Sequence, residues 1–564
     1  QVLDGAGKFA AEVIAPLNRP ADRQGCRLAD GAVSTPQGFP EAYARFAGAG
    51  WPAAPFSAEL GGHGLPRAVA FALLEMWEAA CLSFSLSPTL TQAAAALLSA
   101  HGSIELKDRF LDKLVSGEWC GAMCLSEPQA GSDLGLIKTR AVAEGDHHLI
   151  TGTKIFITYG DHDLSENIVH VVLARTPNGP PGTKGLSCFI VPKWLVEADG
   201  SRGWRNDVRP VSLESKLGIH GSPTLVMAYG DEGGAVGYLV GEENRGLSAM
   251  FTMMNTARLT VGLEGVAIAE RAYQQALAYA RERRQGRALG ATGDSPSTIV
   301  EHADVRRMLM SMRAQIEAGR ALAYLTAEAF DLGAHHTEPE VRARNTGLGE
   351  LLTPVVKGWC AEIGVEVASL GVQIHGGAGY IEETGATQHL RDARIIPIYE
   401  GTSGIQALDL TTRKIRHDGG GDLEGFLESV RACTRQLGDA AAELEGSLAD
   451  DLETVGRALG GAEAVLATAS AWLRERSEDE PASAAAGATP YLRLFGAVAG
   501  GWGLGRGALA AARHLSAGRN DPFYAAKIAT ARFYAEQLIP PATALLGPIT
   551  RGPDTLMAIP PEHL

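Results

Sequence analysis

Apolar and polar positions recur along this chain with two different periods, and the switches between them divide it. From about Gly5 to Ser116 the period is helical, with Ala-rich segments such as Arg67 to Ala80 and Thr89 to Ala100 and a Gly/Pro break, WPAAPFSAELGGHGLP. Between Trp119 and Val240 short β-rich runs take over: GAMCLS, KTRAVA, HLITGTKIFIT, NIVHVVLA, GLSCFIVP and TLVMAY. Turn residues at Gly145-Asp146 and Pro177-Asn178-Gly179 punctuate them, and the pattern predicts a small antiparallel β-domain. Past Gly246, Leu259, Leu263, Val266, Tyr273, Leu277 and Ala280 fall at helical spacing, which predicts one long amphipathic helix to about Arg284. Two more follow, Glu301 to Leu332 and Pro339 to Leu370, and with the helix after Ser403 they make a four-helix bundle, a common seat for a cofactor. A break at Asp418-Gly419-Gly420-Gly421-Asp422 precedes further Ala/Leu-rich helices with a charged loop at Arg474 to Glu480. The expected domains are therefore 1–118 (helical), 119–242 (β), 243–417 (helical bundle) and 418–564 (C-terminal, helical).

Composition narrows the classes. The 564 residues, 45% hydrophobic and 20% charged, suit a soluble multidomain protein. A net charge of −15, from 50 basic against 65 acidic residues, argues against a nucleic-acid partner. The seven cysteines show neither CxxC pairs nor neighbouring histidines, so free thiols in a reducing, cytoplasmic compartment are expected and a metal site is not. The apolar run Leu494 to Leu504 is too short to span a bilayer and is ended by Arg506, so no membrane partner is expected.

Two constellations carry chemistry. Glu400 stands in PIYEGTSGIQ, downstream of QIHGGAGY, and its apolar neighbours Ile396, Pro397 and Ile398 disfavour the charged carboxylate, as a general base requires. The competing reading is a surface glutamate at a helix start capped by Thr402 and Ser403. In CLSEPQAGSD (Cys124 to Asp133) and TGTKIFIT (Thr151 to Thr158), Ser126, Ser132 and Thr158 offer hydroxyls, while Gly131 lets the backbone approach a flat ligand such as a flavin ring. An ordinary turn and a Thr-rich strand would look similar. The GxGxxA match at Gly503 to Ala508 reads better as close helix packing than as a dinucleotide site. His147-His148 and His335-His336 read as loop histidines, and Met250, Met253 and Met254 as core or as an adaptable pocket wall.

Taken in order, CLSEPQAGSD, KIFIT, RERRQGR, QIHGGAGY and YEGTSGIQ resemble the ordered signature of the acyl-CoA dehydrogenase family. The resemblance runs from end to end, and the HDLSENIVHVVLAR stretch and the added C-terminal domain make the chain most similar to the long members. It implies an α+β, mainly α fold: an N-terminal helical domain, a middle antiparallel β-domain, a four-helix bundle and the additional helical domain. It implies an FAD enzyme in which Glu400, the match to the family's base, removes the α-proton of an acyl-CoA thioester while a β-hydride passes to flavin N5. The product is a trans-2-enoyl-CoA, and the electrons pass to an electron-transfer flavoprotein. The thioester carbonyl is held in the family by the backbone N–H of the base and a ribityl hydroxyl.

Residue by residue, Met123, Leu125, Ser126, Ser132, Phe156 and Thr158 match positions around the isoalloxazine, with Phe156 where many relatives have Trp. Arg283, with Gln285, matches the arginine lent by a second subunit to the FAD pyrophosphate. Gln373, Gly376 and Gly377 match the turn at the adenosine end, and Thr402 and Gly404 match residues that close over FAD. Ser132, Asn255, Arg258 and Gly401 match substrate-contacting positions. Ala257 stands where some relatives carry their base, which leaves Glu400 alone for that role. RERRQGR lacks the Phe of the commoner RxxFG arrangement, and Glu301-His302-Ala303 replaces the usual His-Gln pair. A shared cofactor site and the added domain imply a homodimer. Alternatives are an acyl-CoA oxidase that uses oxygen, a DNA-binding or non-catalytic flavoprotein relative, and an inert scaffold.

Overall fold

The computed structural model describes residues 1–564 except 198, 293, 477 and 552–554. The charged loop expected at Arg474 to Glu480 is corrected at its start, where Arg474 to Arg476 are helical, and residue 477 lies outside the described residues. Two compact units divide the chain, Gln1–Thr260 and Val261–Leu564.

In the first unit the helices are α1 (Val2–Phe9), α2 (Asn18–Gln24), α3 (Phe39–Gly48), α4 (Arg67–Ala80), α5 (Leu82–His101) and α6 (Ile104–Ser116). The purely helical expectation needs one correction here: strands β1 (Arg27–Ala29) and β2 (Ala32–Ser34) form a hairpin between α2 and α3. Its cause is local, since Asp30 and Gly31 both take positive φ (52° and 73°), the turn that matches strand twist. α5 is buried on nearly every face, Ser and Thr included. Thr89 and Thr91 satisfy their hydroxyls on the carbonyls of Ser85 and Ser87 within the helix.

The β-layer comprises β3 (Cys120–Cys124), β4 (Arg140–Glu144), β5 (His147–Thr158), β6 (Ile168–Arg175), β7 (Leu186–Pro192), the small pair β8 (Trp194–Val196) and β9 (Arg202–Arg205), β10 (Val208–Leu213), β11 (Thr224–Tyr229) and β12 (Ala235–Val240). The main sheet runs β10-β11-β5-β12-β7-β6-β3, with β4 beside β5 and β6. It is not wholly antiparallel as expected: β3 lies parallel to β6, and the long connection a parallel pair needs is supplied by the chain through β4 and β5. β6 and β7 are buried along almost their whole length and so read as continuous apolar runs, whereas β8, β9, β10 and β12 carry weaker patterns that the sequence reading passed over. His147 and His148 belong to β5 rather than to a loop, and His148 packs on the Phe189 ring at 5.0 Å. Met250 and Met253 are fully buried in this unit's core.

α5 packs on β3 through Gly121, where a Cβ would meet the Ala94 methyl at 2.6 Å and whose N–H is held by Thr91 Oγ1. Gly121→Val is therefore expected to force helix and sheet apart and to destabilise the unit by about 1–3 kcal/mol, read as a lowered urea midpoint.

α7 (Gly246–Glu282) begins in the first unit and continues into the second, which also holds α8 (Ala303–His335), α9 (Pro339–His375), α10 (Ala386–Ala393) and α11 (Ser403–Thr412). The three long helices α7, α8 and α9, with the shorter α11, make the expected bundle, with small residues at the seams. A Cβ at Gly265 would lie 2.2 Å from the Cys360 carbonyl of α9, and one at Gly262 would strike Val356 at 2.6 Å. After a kink at His417, Asp418 and Gly419 come α12 (Gly421–Ala442), α13 (Ser447–Arg476), α14 (Pro481–Ser516), α15 (Pro522–Phe533), α16 (Ile539–Thr543) and α17 (Leu546–Thr550). Gly503 lies on α14, where a Cβ would sit 2.8 Å from the Ala321 methyl, so the GxGxxA run packs α14 against α8. All seven cysteines are free thiols, and six are buried.

Candidate functional site

In the first unit, Met123 is the penultimate residue of β3, and Leu125 and Ser126 start the loop that follows. What holds that loop is a buried ion pair: Lys154, on β5 and 0% exposed, donates to the Leu125 carbonyl and to Glu127 Oε1, both at 2.9 Å. The Glu127 carboxylate also accepts from the amides of Lys138 and Thr139 and from the Thr139 hydroxyl. Burial alone would raise Glu127, but Lys154 and these donors hold it down at about 2. Burial pulls Lys154 downward in turn, against the Glu127 charge. The Ile155 N–H donates to the Ser126 carbonyl, which ties loop to strand.

At that tie β5 carries an extra residue: Leu225 pairs with Ile157 but Met227 pairs with Lys154, so Ile155 and Phe156 face one residue of β11. Phe156 takes φ +59° in this bulge, and its ring stands 63% exposed. A bulge that re-aims a large apolar ring outward is how a strand offers a flat stacking surface. Thr158 ends the same strand. Ser132 lies exposed on the loop beside Asp133, whose carboxylate accepts from the Gly135 N–H. Asn255 is exposed on α7, and Arg258, one turn on, is buried.

In the second unit, Glu400 sits half-buried in a loop closed by hydrogen bonds from the Ser403 N–H to the Pro397 carbonyl and from the Tyr399 N–H to the Ile395 carbonyl. Its φ is +55°, and that of Gly401 is +88°. A β-carbon at positive φ is strained by about 1–3 kcal/mol, and such strain collects where a side chain must point in one direction for function. Thr402 caps α11, its Oγ1 accepting from the Ile405 N–H, while Ser403 Oγ is buried without a partner. The cap expected of Thr402 is present, and Glu400 lies outside the helix it starts.

The surroundings of Glu400 are less apolar than its sequence neighbours suggest. Ile396 is buried but Ile398 is half exposed. Beneath the loop lie two charges the sequence reading did not single out, Glu264 on α7 and Lys357 on α9, 1% and 0% exposed. Tyr399 donates its hydroxyl to Glu264 Oε2, and Lys357 Nζ donates to the Ile396 carbonyl at 2.9 Å. Burial pushes Glu264 up to about 8 against the pull of Tyr399 and Lys357, and the Glu400 charge adds to the rise. Each residue interrupts an apolar helical run, RLTVGLEGVAIA and LLTPVVKGWCA, the one signal by which they could have been found.

Family models match almost the whole chain: acyl-CoA dehydrogenase N-terminal domain (residues 1–118), middle domain (122–229) and C-terminal domain (244–415), then acetyl-CoA dehydrogenase C-terminal like (423–560). The chain belongs to the acyl-CoA dehydrogenase family. It is 49% identical to the 3-methylmercaptopropionyl-CoA dehydrogenase of Ruegeria pomeroyi, over 98% of this chain and 92% of that one. A butyryl-CoA dehydrogenase of Syntrophomonas wolfei is 35% identical over 95% and 89%. Among solved structures, an acyl-CoA dehydrogenase of Bacillus anthracis complexed with FAD shares the fold, with a TM-score of 0.75 at 21% identity over 99% and 88%.

As an acyl-CoA dehydrogenase this protein is an FAD-dependent oxidoreductase, and its residues fit that cofactor. Phe156 presents a flat exposed ring, and a Cβ at Gly131, Gly376 or Gly377 would meet nothing within 4 Å. Gly376, at φ +60° and ψ −138°, is in a region only glycine occupies readily. Gln373, Gly376 and Gly377 lie at the C-terminal end of α9, where His375 stacks on Tyr279 of α7 at 4.5 Å. Arg283 follows Tyr279 by one turn and donates weakly to Gln285 Oε1 at 3.5 Å, both side chains exposed. The structure thus brings Arg283, Gln285 and the glycine turn to neighbouring helix ends. The departures from the family pattern at Glu301-His302 have structural roles: Glu301 makes a capping box with Thr298, and His302 bonds the Gln285 carbonyl at 2.9 Å. Thr402, Gly401 and Gly404 cluster at the start of α11. No described helix is long and apolar enough to cross a membrane.

Proposed function

We propose that this acyl-CoA dehydrogenase uses Glu400 as the base that removes the α-proton of its thioester substrate, with the Glu400 N–H donating to the thioester carbonyl. The supporting observation is the left-handed turn at Glu400, with Gly401 following it, which spends backbone strain to aim one carboxylate. FAD, when bound, supplies the acceptor for the hydride that leaves the β-carbon. The chain's part is to hold and orient: Met123, Leu125, Ser126, Ser132, Phe156 and Thr158 around the flavin ring, Arg283 and Gln285 at the pyrophosphate, and Gln373, Gly376, Gly377, Thr402 and Gly404 along the rest. Ser132, Asn255, Arg258 and Gly401 would meet the substrate. An α-proton is too weakly acidic for a carboxylate in water, so donors aimed at the developing enolate oxygen carry much of the rate.

The 49% identity to a dehydrogenase named for 3-methylmercaptopropionyl-CoA supports a short linear acyl chain, with or without a thioether. We read the physiological acceptor as an electron-transfer flavoprotein, the compartment as cytoplasmic, the assembly as a homodimer, and the four domains as divided at 118, 242 and 417. Anaerobic addition of a panel of acyl-CoAs, 3-(methylthio)propionyl-CoA and butyryl-CoA among them, is expected to bleach the flavin's visible absorption, fastest with the short members. If no thioester bleaches it, the reading fails. Abundant peroxide in air without added acceptor would make the protein an oxidase instead.

A further inference from the structure

Glu264 is a buried titratable group that the proposed reaction does not use. It projects from α7 and receives the Tyr399 hydroxyl, 135 residues away in sequence and adjacent to Glu400. The groups that face it are Tyr399 and Glu400 from the loop and Lys357 from α9, the last anchored to the Ile396 carbonyl of the same loop. A fully buried carboxyl is costly, and a leucine at this helix position would pack without that penalty. Here the carboxyl meets the one residue whose peptide leads into the strained turn. We infer that Glu264, acting through Tyr399, is a positioning residue that fixes the direction of the Glu400 carboxylate.

The consequence follows from charge alone. The Glu400 charge raises the proton affinity of Glu264, and when Glu400 takes the substrate's proton that contribution is lifted, so Glu264 holds its own proton less tightly. Electrons and bonds elsewhere are untouched. Removing the Tyr399 hydroxyl takes away the hydrogen bond that favours the ionised Glu264 and the tether on the turn.

This inference rests on Glu400 being the base, and its test has a readout that does not. In the FAD-loaded protein without substrate, pH-difference infrared spectra are expected to show a protonated buried carboxyl that is absent in Glu264→Gln. Its titration should move to lower pH in Glu400→Gln, where the neighbouring charge is gone, and to higher pH in Tyr399→Phe. In anaerobic stopped flow, Tyr399→Phe should slow flavin reduction by about tenfold at unchanged substrate affinity, the loss of one hydrogen bond. Glu264→Gln should remove an ionisation above neutrality from the pH profile of that step. A carboxyl whose titration ignores both neighbours, or superimposable pH profiles for wild type and Glu264→Gln, overturns the inference. Should no acyl-CoA reduce the flavin, the proposed function fails while the infrared titration still decides the coupling.

Discussion

Glu400→Gln is expected to abolish flavin reduction by acyl-CoA, slowing it by at least about 10²-fold and up to about 10⁴-fold, while FAD content and thioester binding stay near wild type. General-base catalysis contributes on that scale, and the amide is isosteric but accepts no proton at neutral pH. Ala257 occupies the alternative position for a base in the family resemblance, so no second carboxylate is expected to rescue the variant. Stopped-flow reduction under anaerobic conditions measures the loss directly, and rates within tenfold of wild type would exclude Glu400 as the base. The same position separates function from stability. Glu400→Gly would also be inactive, yet it relieves a β-carbon at φ +55° and should raise the unfolding free energy by about 1 kcal/mol. A residue that stabilises the protein when replaced by glycine is held there for its chemistry.

The largest expected effect on stability is at the other constellation. Lys154→Met leaves Glu127 as an unpaired buried charge in the loop after β3 and should destabilise the first unit by about 3–5 kcal/mol, with loss of FAD on gel filtration. Pairing it with Glu127→Leu is not expected to restore stability, because the Lys138 and Thr139 amides then lose their acceptor. The pH dependence has a definite sign. Glu127 is depressed from 4.5 to about 2 in the folded protein, so its contribution is fully present above about pH 4.5 and is lost as the pH falls toward 2. Urea titrations across that window should show a steeper acid loss for wild type than for Lys154→Met; parallel curves would mean that the pair does not hold the loop.

These two residues show how far the sequence could be read. CLSEPQAGSD and KIFIT were legible as a loop and a strand, and Phe156 as a flat ring, because turn residues and alternation are local signals. That Glu127 and Lys154 pair was not legible, since the partners are 27 residues apart and meet only when β5 passes under the loop. The extra residue at Ile155 and Phe156 was also hidden, because a bulge is defined against the partner strand and not within its own. Around Glu400 the flanking Ile396 to Ile398 suggested an apolar setting. Two helices, α7 and α9, instead placed Glu264 and Lys357 under the loop, and in sequence each looked like one polar interruption of a core face.

By itself the sequence determined the alternation of helical and strand segments, the order of the family motifs and the identity of the carboxylate in YEGTSGIQ, because periodicity and turn chemistry act over a few neighbouring residues. The tertiary structure alone decided that Glu400 takes a left-handed turn, that Tyr399 before it bonds Glu264, and that Phe156 is thrust out of its strand. Those features arise from packing between segments far apart in the chain, where burial and hydrogen-bond satisfaction override what any local stretch prefers.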